Sequence, residues 1–142
     1  MFLCLNDALN RVKTVSAVGG RVFDNFSKDT FIDTIKSKNV PCVGVFYETM
    51  HREVDASKAH GLCVNLYAAI VLADSTTCKE SKGATDRKRD LGILHSIRNA
   101  MTTGPNPGQR GWSFDTETPF SAEGVEYLMY YQRWVTRLIL TR

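Results

Sequence analysis

The stretch that decides the fold is GVEYLMYYQRWVTRLIL, residues 124–140. Aromatic and β-branched side chains with no Gly or Pro after Gly124 indicate a β-strand, because bulky side chains fit a pleated, half-buried surface. At about 3.3 Å per residue the run would span roughly 50 Å, more than an ordinary strand. We therefore expect either one bent strand that reaches past the domain body or a strand that changes partners midway. A helix is the less favoured alternative, given the aromatic density.

The two faces of this run differ in polarity, because side chains alternate along a strand. The odd-numbered face includes Arg133 and Arg137. The even-numbered face is more apolar and is expected to face the core, although Gln132 and Thr136 interrupt it. The apolar members of the even-numbered face are Leu128, Tyr130, Trp134, Leu138 and Leu140.

The composition is that of a soluble globular protein. The chain of 142 residues is 43% hydrophobic and 23% charged, with a net charge of +3. This length suits one domain, residues 1–142, with its own core. No apolar run reaches the roughly 18 residues that a membrane span needs. The opening MFLCLNDALN also lacks the basic region of a signal peptide. We expect a protein made and used in a reducing cytoplasm, or in a particle assembled there.

The first half of the chain alternates between helix and strand patterns. Apolar residues at helical spacing predict an amphipathic helix over residues 2–15, which Gly19 and Gly20 terminate. The patterns that follow predict a short strand over 21–26, a brief helix containing Phe31, and strands over 40–47 and 62–73. A buried helix is the alternative for the last of these, because the segment is apolar on both faces.

The second half is predicted to contain a loop, a helix and a strand before the final run. Residues 75–85 have loop composition, and the helix over about 86–102 ends at Gly104 and Pro105. After the Gly- and Pro-rich segment 104–111, alternation over 112–118 predicts a strand that pairs antiparallel with the final run.

No recognised catalytic motif and no metal-ligand spacing are present. The cysteines lack a CxxC pair, and the histidines lack the short spacing of zinc ligands. The first three cysteines lie in apolar surroundings, where free thiols behave as small hydrophobic groups. The sequence predicts no metal and no cofactor, and the enzyme interpretation is weak. The cysteines are Cys4, Cys42, Cys63 and Cys78, and the histidines are His51, His60 and His95.

The polar segment 48–60 is a first candidate interaction site. We interpret it as a hairpin connection whose ends extend the neighbouring strands. His51 and His60 could meet across the hairpin, yet a solvated loop explains them better. The candidate interface residues in this segment are His51, Arg52, Glu53, Asp55 and Lys58.

The basic segment 79–90 is a second candidate. Its five cations face three carboxylates, so it accounts for +2 of the net charge. A solvated helix start is the default explanation. With a helix that starts at Asp86, however, the positive charge would oppose the helix dipole. A partner surface or a passing phosphate would give the cluster a purpose. The cations are Lys79, Lys82, Arg87, Lys88 and Arg89, and the carboxylates are Glu80, Asp86 and Asp90.

The order of segments in the second half carries a family resemblance. A basic loop leads into the helix DRKRDLGILHSIRNAM (86–101). The tryptophan strand GWSFDTETPF (111–120) follows, and the run 124–140 completes the pattern. This order resembles the small tail terminator and tail completion proteins of long-tailed bacteriophages. The chain length and the opening amphipathic helix match as well.

The resemblance implies an α+β fold, a single compact domain with a mixed, mostly antiparallel sheet and two main helices packed on it. Such a ring-forming protomer assembles, as a hexamer, on the tail tube protein at the head-proximal end of the virion tail. The ring ends tail growth and offers a surface to the head–tail connector protein, and DNA passes through its lumen without sequence-specific binding. The family implies no enzymatic activity, no cofactor and no membrane partner.

Three alternatives stay open. A neck or head–tail connector protein of similar size would share the same pattern. A nucleic-acid-binding module using the basic segment would show strongly salt-dependent affinity for DNA. A small enzyme with an unrecognised site is the third alternative.

Overall fold

Five strands form one mixed sheet, and two helices pack on it. The computed structural model describes residues 2–24, 31, 41–52, 62–75, 83–103, 111–120 and 127–140. The sheet order is β1-β2-β3-β5-β4, with β1 parallel to β2 and the other pairs antiparallel. The predicted α+β class is therefore confirmed. The elements are α1 (Phe2–Lys13), β1 (Val22–Asp24), β2 (Cys42–Arg52), β3 (Leu62–Ser75), α2 (Gly83–Thr102), β4 (Ser113–Phe120) and β5 (Tyr127–Leu140).

The final run is a strand because it has an equally long partner. Strands β3 and β5 each contain 14 residues and pair along their whole length, from Ser75 opposite Tyr127 to Leu62 opposite Leu140. Of the two alternatives for this run, a single long strand is the one observed, and a change of partner midway is wrong. Both helix alternatives, for the final run and for residues 62–73, are wrong as well. Hydrogen bonds between β3 and β5 satisfy the facing backbone N–H and C=O groups of both strands, so neither segment needs to be helical.

Several elements differ in extent from the sequence prediction. Strand β4, predicted to end at residue 118, runs to Phe120, and α1 ends at Lys13, before the predicted end at residue 15. Strand β2 runs to Arg52, because β3 supplies partners as far as Val64. Helix α2 begins at Gly83, before the predicted start at Asp86, and Ser75 still belongs to β3. The predicted loop over 75–85 is thus wrong at both ends, and its centre lies outside the described residues. Of the predicted brief helix, the structure describes Phe31, in helical conformation.

Both helices pack on the face that carries the even-numbered residues of β3 and β5, here called the even face. Trp134 is fully buried at 0% exposure, so the predicted core face of the final run is confirmed. Neither described helix has the length and apolar composition required to cross a membrane. The core of the even face includes Ala8, Leu9, Val12, Val43, Val45, Leu66, Ile70, Leu72, Ile93, Leu94, Ile97, Met101 and Trp134.

The polar residue Gln132 in this core is fully hydrogen-bonded. Its carbonyl oxygen accepts a bond of 2.9 Å from the Trp134 indole. Its amide nitrogen donates to the Leu94 carbonyl at 3.3 Å and to the Glu117 carboxylate at 2.7 Å. Arg98 of α2 in turn pairs with Glu117. A buried polar group is costly unless it is hydrogen-bonded, so this network ties α2 to β4 and β5 in one arrangement.

A second polar junction holds the segment that precedes β4. The Trp112 indole donates to Asp7 at 3.1 Å, and the Thr136 hydroxyl donates to the Gly111 carbonyl at 3.2 Å. Arg11 pairs with Asp7 at 2.7 Å. Its guanidinium also donates, at 3.1 Å, to a main-chain carbonyl in the last turn of α2. Because helix C-termini leave carbonyls unsatisfied, Arg11 stabilises the end of α2 and docks α1 on it.

The opposite face of the sheet, here called the odd face, has a smaller apolar cluster. Phe31 is buried over Gly44, where an added Cβ would lie 2.4 Å from the phenyl ring. Glycine is thus required by close approach of the ring. The cluster consists of Phe31, Cys42, Phe46, Ala69, Val71, Ala73 and Met129.

Replacement of Trp134 by alanine should lower the free energy of unfolding by about 3–5 kcal/mol, the cost of a large core cavity. The variant also removes the indole N–H that donates a hydrogen bond to Gln132. Urea denaturation with a fixed m-value measures the change. A loss below about 1 kcal/mol would show that the indole does not fill the core.

Gly44→Ala should destabilise the protein by about 1–3 kcal/mol, because the added methyl group must displace the Phe31 ring. The matched control is Gly92→Ala in α2, where the added Cβ meets nothing within 4 Å. That variant should gain about 0.5–1 kcal/mol from helix propensity. Equal effects of the two substitutions in thermal melts would contradict the close approach of Phe31.

Candidate interaction surface

Beyond its apolar cluster, the odd face carries an ordered group of charged and aromatic side chains around Arg133. We call Glu48, Tyr67, Asp115, Tyr131 and Arg133 the Arg133 cluster. The Arg133 side chain is 28% exposed, against 29% for Glu48 and 41% for Asp115. The cluster is therefore both fixed by contacts and accessible from solvent.

Three groups hold the Arg133 guanidinium. Its Nε lies 3.2 Å from Glu48 Oε1, and its Nη1 lies 3.8 Å from Asp115 Oδ2. Its Cζ lies 4.1 Å from the centre of the Tyr67 ring, a cation–π contact. Exposed ion pairs contribute little individually. The Nε of Arg133 is buried with no hydrogen-bond partner in the described part of the chain, so charge attraction to two carboxylates and the contact with the Tyr67 ring orient the planar guanidinium.

Two β-bulges bring the carboxylates to Arg133. Glu48 is the extra residue between Tyr47 and Thr49 in β2, and Asp115 is the extra residue between Phe114 and Thr116 in β4. A bulge redirects a side chain and increases the local twist. Arg133 lies opposite Ala69 on the intervening strand, and this small residue leaves room for the contact with Glu48.

Tyr131 connects the apolar and charged parts of the odd face. Its phenol donates a hydrogen bond to Glu48 Oε2. Burial first, and then this hydrogen bond, raise the pKa of Tyr131 well above its usual value. The phenol is therefore a permanent donor near neutral pH and fixes the Glu48 carboxylate from the side opposite Arg133.

Of the candidates in the segment 48–60, two lie at the end of β2. His51 and Arg52 are exposed, and the His51 ring meets the Tyr67 ring edge-on with centroids 5.6 Å apart. His51 therefore borders the Arg133 cluster. The expectation that the ends of this connection extend the neighbouring strands is confirmed for residues 48–52, which belong to β2 and lie beside β3. Glu53, Asp55 and Lys58, together with His60, lie outside the described residues.

The basic segment is only partly described. Arg87, Lys88 and Arg89 belong to α2, but their side chains lie outside the described part of the structure, as do Lys79 and Lys82 entirely. Because α2 begins at Gly83, the three residues follow the first turn. The effect of the dipole is confined to that turn, so the predicted opposition to it is wrong.

The Arg133 cluster was not among the residues selected from the sequence. One signal for it was available, namely the two arginines on the less apolar face of the final run. Glu48 was grouped with a polar connection, and Asp115 with an ordinary strand. A β-bulge cannot be recognised from the periodicity of a sequence, so the approach of Glu48 and Asp115 to Arg133 could not be predicted.

Among the described residues, no group of three His, Cys, Asp or Glu side chains is placed to hold a metal ion. Cys42 and Cys63 are buried, as predicted, and burial raises the pKa of the Cys42 thiol to about 11. A cleft of about 290 Å³ between residues 14–17 and the end of α2 is lined by hydroxyl, amide and alkyl groups.

No protein-family model and no curated protein matches the chain. The interaction surface is consequently defined by its own geometry. The resemblance to tail terminators is carried by the order of sequence segments, the chain length and the opening helix.

Tyr131→Phe should make stability less sensitive to alkaline pH. The folded protein keeps the phenol proton at pH values where the unfolded chain, with an ordinary tyrosine pKa of about 10, releases it. Stability of the parent protein should therefore fall as the pH rises above about 10, and the variant should show a shallower fall. Urea melts between about pH 8 and 11 measure the slopes. The control is Tyr47→Phe, which removes an exposed phenol; equal slopes in all three proteins would contradict the role of Tyr131.

Proposed function

We propose that this chain is a structural subunit of a phage tail, of the tail terminator type. Six copies form a ring on the head-proximal end of the tail tube, end its growth and offer a surface to the head–tail connector. The activity is assembly, with no catalytic step and no cofactor. The order of sequence segments supports this proposal, and the α+β sheet with two helices is the architecture that the resemblance implies.

The observation that carries the proposal is the length of the central strands. Fourteen paired residues span about 46 Å. A compact chain of this size would be about 37 Å across. Strand β4 pairs with β5 only as far as Val135, whereas β3 continues with β5 to Leu140. The central pair of strands is therefore longer than the diameter expected for a compact chain of this size, which suits a subunit that buries surface against its neighbours.

The proposal assigns a contact within the virion to each of the two groups of charged residues. The Arg133 cluster and the neighbouring His51 provide an oriented charged surface on the odd face, suited to contacts within the virion, and Arg52 adds a charge at the end of β2 on the even face. The basic segment, with Arg87, Lys88 and Arg89, contacts a neighbouring subunit or the tail tube. Charged groups of this kind set specificity and register in an interface more than raw affinity. DNA passes through the lumen without being read.

The purified chain should form a closed ring, and the ring should bind the ends of isolated tail tubes. Native mass spectrometry and negative-stain imaging measure the number of copies and the symmetry. Tube length in a polymerisation assay measures termination. Six copies and shorter, capped tubes are expected. A chain that stays single in the presence of tubes and leaves their length unchanged would contradict the proposed function.

The triple variant Arg87/Lys88/Arg89→Ala separates assembly from folding. Removal of surface charges should change stability by no more than about 0.5 kcal/mol per site, while loss of a paired charge in an interface weakens assembly far more. Lys13→Ala, at an exposed position of α1, is the control. Normal melting with lost ring formation or capping is expected. A triple variant that assembles and caps like the parent would show that the three side chains are ordinary solvated residues with no role in an interface.

A further inference from the structure

The sheet has two outer edges, and each leaves backbone groups available. Strand β1 pairs with β2 only at Val43, Gly44 and Val45, while β2 continues to Arg52. Strand β4 is bonded to β5 on one side. Within the described part of the chain, neither the segment 46–52 of β2 nor the outer side of β4 has a strand partner. Unpaired edges of this kind are templates for another strand.

We infer that the outer edge of β4 in one copy pairs antiparallel with the 46–52 edge of β2 in a second copy. Each edge is thus occupied by the other edge of a second copy of this chain. This inference rests on the proposed self-assembly and specifies which surfaces meet. The contact is heterologous, because two different surfaces join, and repetition of such contacts generates a ring when the rotation closes.

Strand direction favours this arrangement. Three successive antiparallel pairings, β2 with β3, β3 with β5 and β5 with β4, make β4 run opposite to β2. Rotation of a copy about an axis along the strands keeps both strand direction and the side that carries the helices. The β4 edge of one copy then meets the β2 edge of the next with antiparallel polarity. The even faces of the two copies form one continuous surface.

The two bulges leave the edges in matching register. If Tyr47 lies opposite Pro119, Arg52 lies opposite Phe114, because each strand contains one extra residue in between. All four side chains lie on the even face, since their partners within the sheet do. His51 then lies opposite Thr116 on the odd face. A bulge in one edge alone would have reversed the faces halfway along the pairing.

The side chains at these edges suit each other. Tyr47 and Phe114 are 38% and 46% exposed, two of the three exposed large hydrophobic residues of the described chain. In this register Tyr47 packs on Pro119, and Arg52 stacks on Phe114 as a cation–π pair. Pairing of β4 with a second β4 would instead bring Asp115 and Glu117 near their own copies, and like charges oppose it.

Cysteine cross-linking tests the contact, because opposite residues of an antiparallel pair have Cβ atoms about 4.5–5.5 Å apart, near the reach of a disulfide. Three proteins are oxidised mildly: His51→Cys, Thr116→Cys and the double variant. Each is compared with the parent chain treated identically, which reports cross-links through native cysteines. Denaturing gels without reductant then separate the linked species.

The double variant should give a ladder of linked chains up to the full ring, while both single variants remain single chains. Dimers of a single variant would show like edges meeting and overturn the inference. A closed ring whose double variant stays unlinked would also overturn it, while leaving the proposed ring standing. A chain that never self-associates would overturn both.

Discussion

Fourteen residues of β5 pair with fourteen of β3, and every other element depends on this ladder. Strand β2 reaches Arg52 because β3 offers partners to its last residues, and within the described residues β4 pairs with β5 alone. The two long strands also place their apolar even-numbered residues in line, which gives α1 and α2 a continuous surface on which to pack. Burial of this surface supplies the main driving force for the fold.

Polar groups within this apolar surface choose one arrangement among many that burial alone would allow. Gln132 is completely enclosed, yet its amide has partners on its own strand, on β4 and on α2. On the other face, Glu48 and Asp115 approach Arg133 from two different strands. Both networks require the neighbouring strands in one register, because a shift by one residue would move each group to the opposite face. Burial of apolar side chains thus stabilises the sheet, and polar contacts select the register of its strands.

The sequence predicted the kind and order of elements better than their extent. Alternation in residues 124–140 identified the core face, and Trp134 lies where it predicted. The strand predicted over 62–73 continues to Ser75, because polar residues extend a strand when a neighbour that is distant in sequence supplies hydrogen bonds. The Arg133 cluster escaped prediction for the same reason. Its members come from four strands, and two of them reach it through bulges that periodicity does not reveal.

The sheet order has a consequence for the time at which the chain can fold. Strands β3 and β5 are neighbours in space, but α2 and β4 are synthesised between them. Pairing of this kind must overcome the entropy of closing a long loop, so it is slow compared with local contacts. The central ladder, and with it the docking surface for both helices, therefore comes into existence only once β5 has left the ribosome. Until then β3 lacks its longest partner, and its apolar face is not yet covered as in the folded protein. Nascent chains with such exposed apolar surface are prone to aggregation and are suited to protection by chaperones.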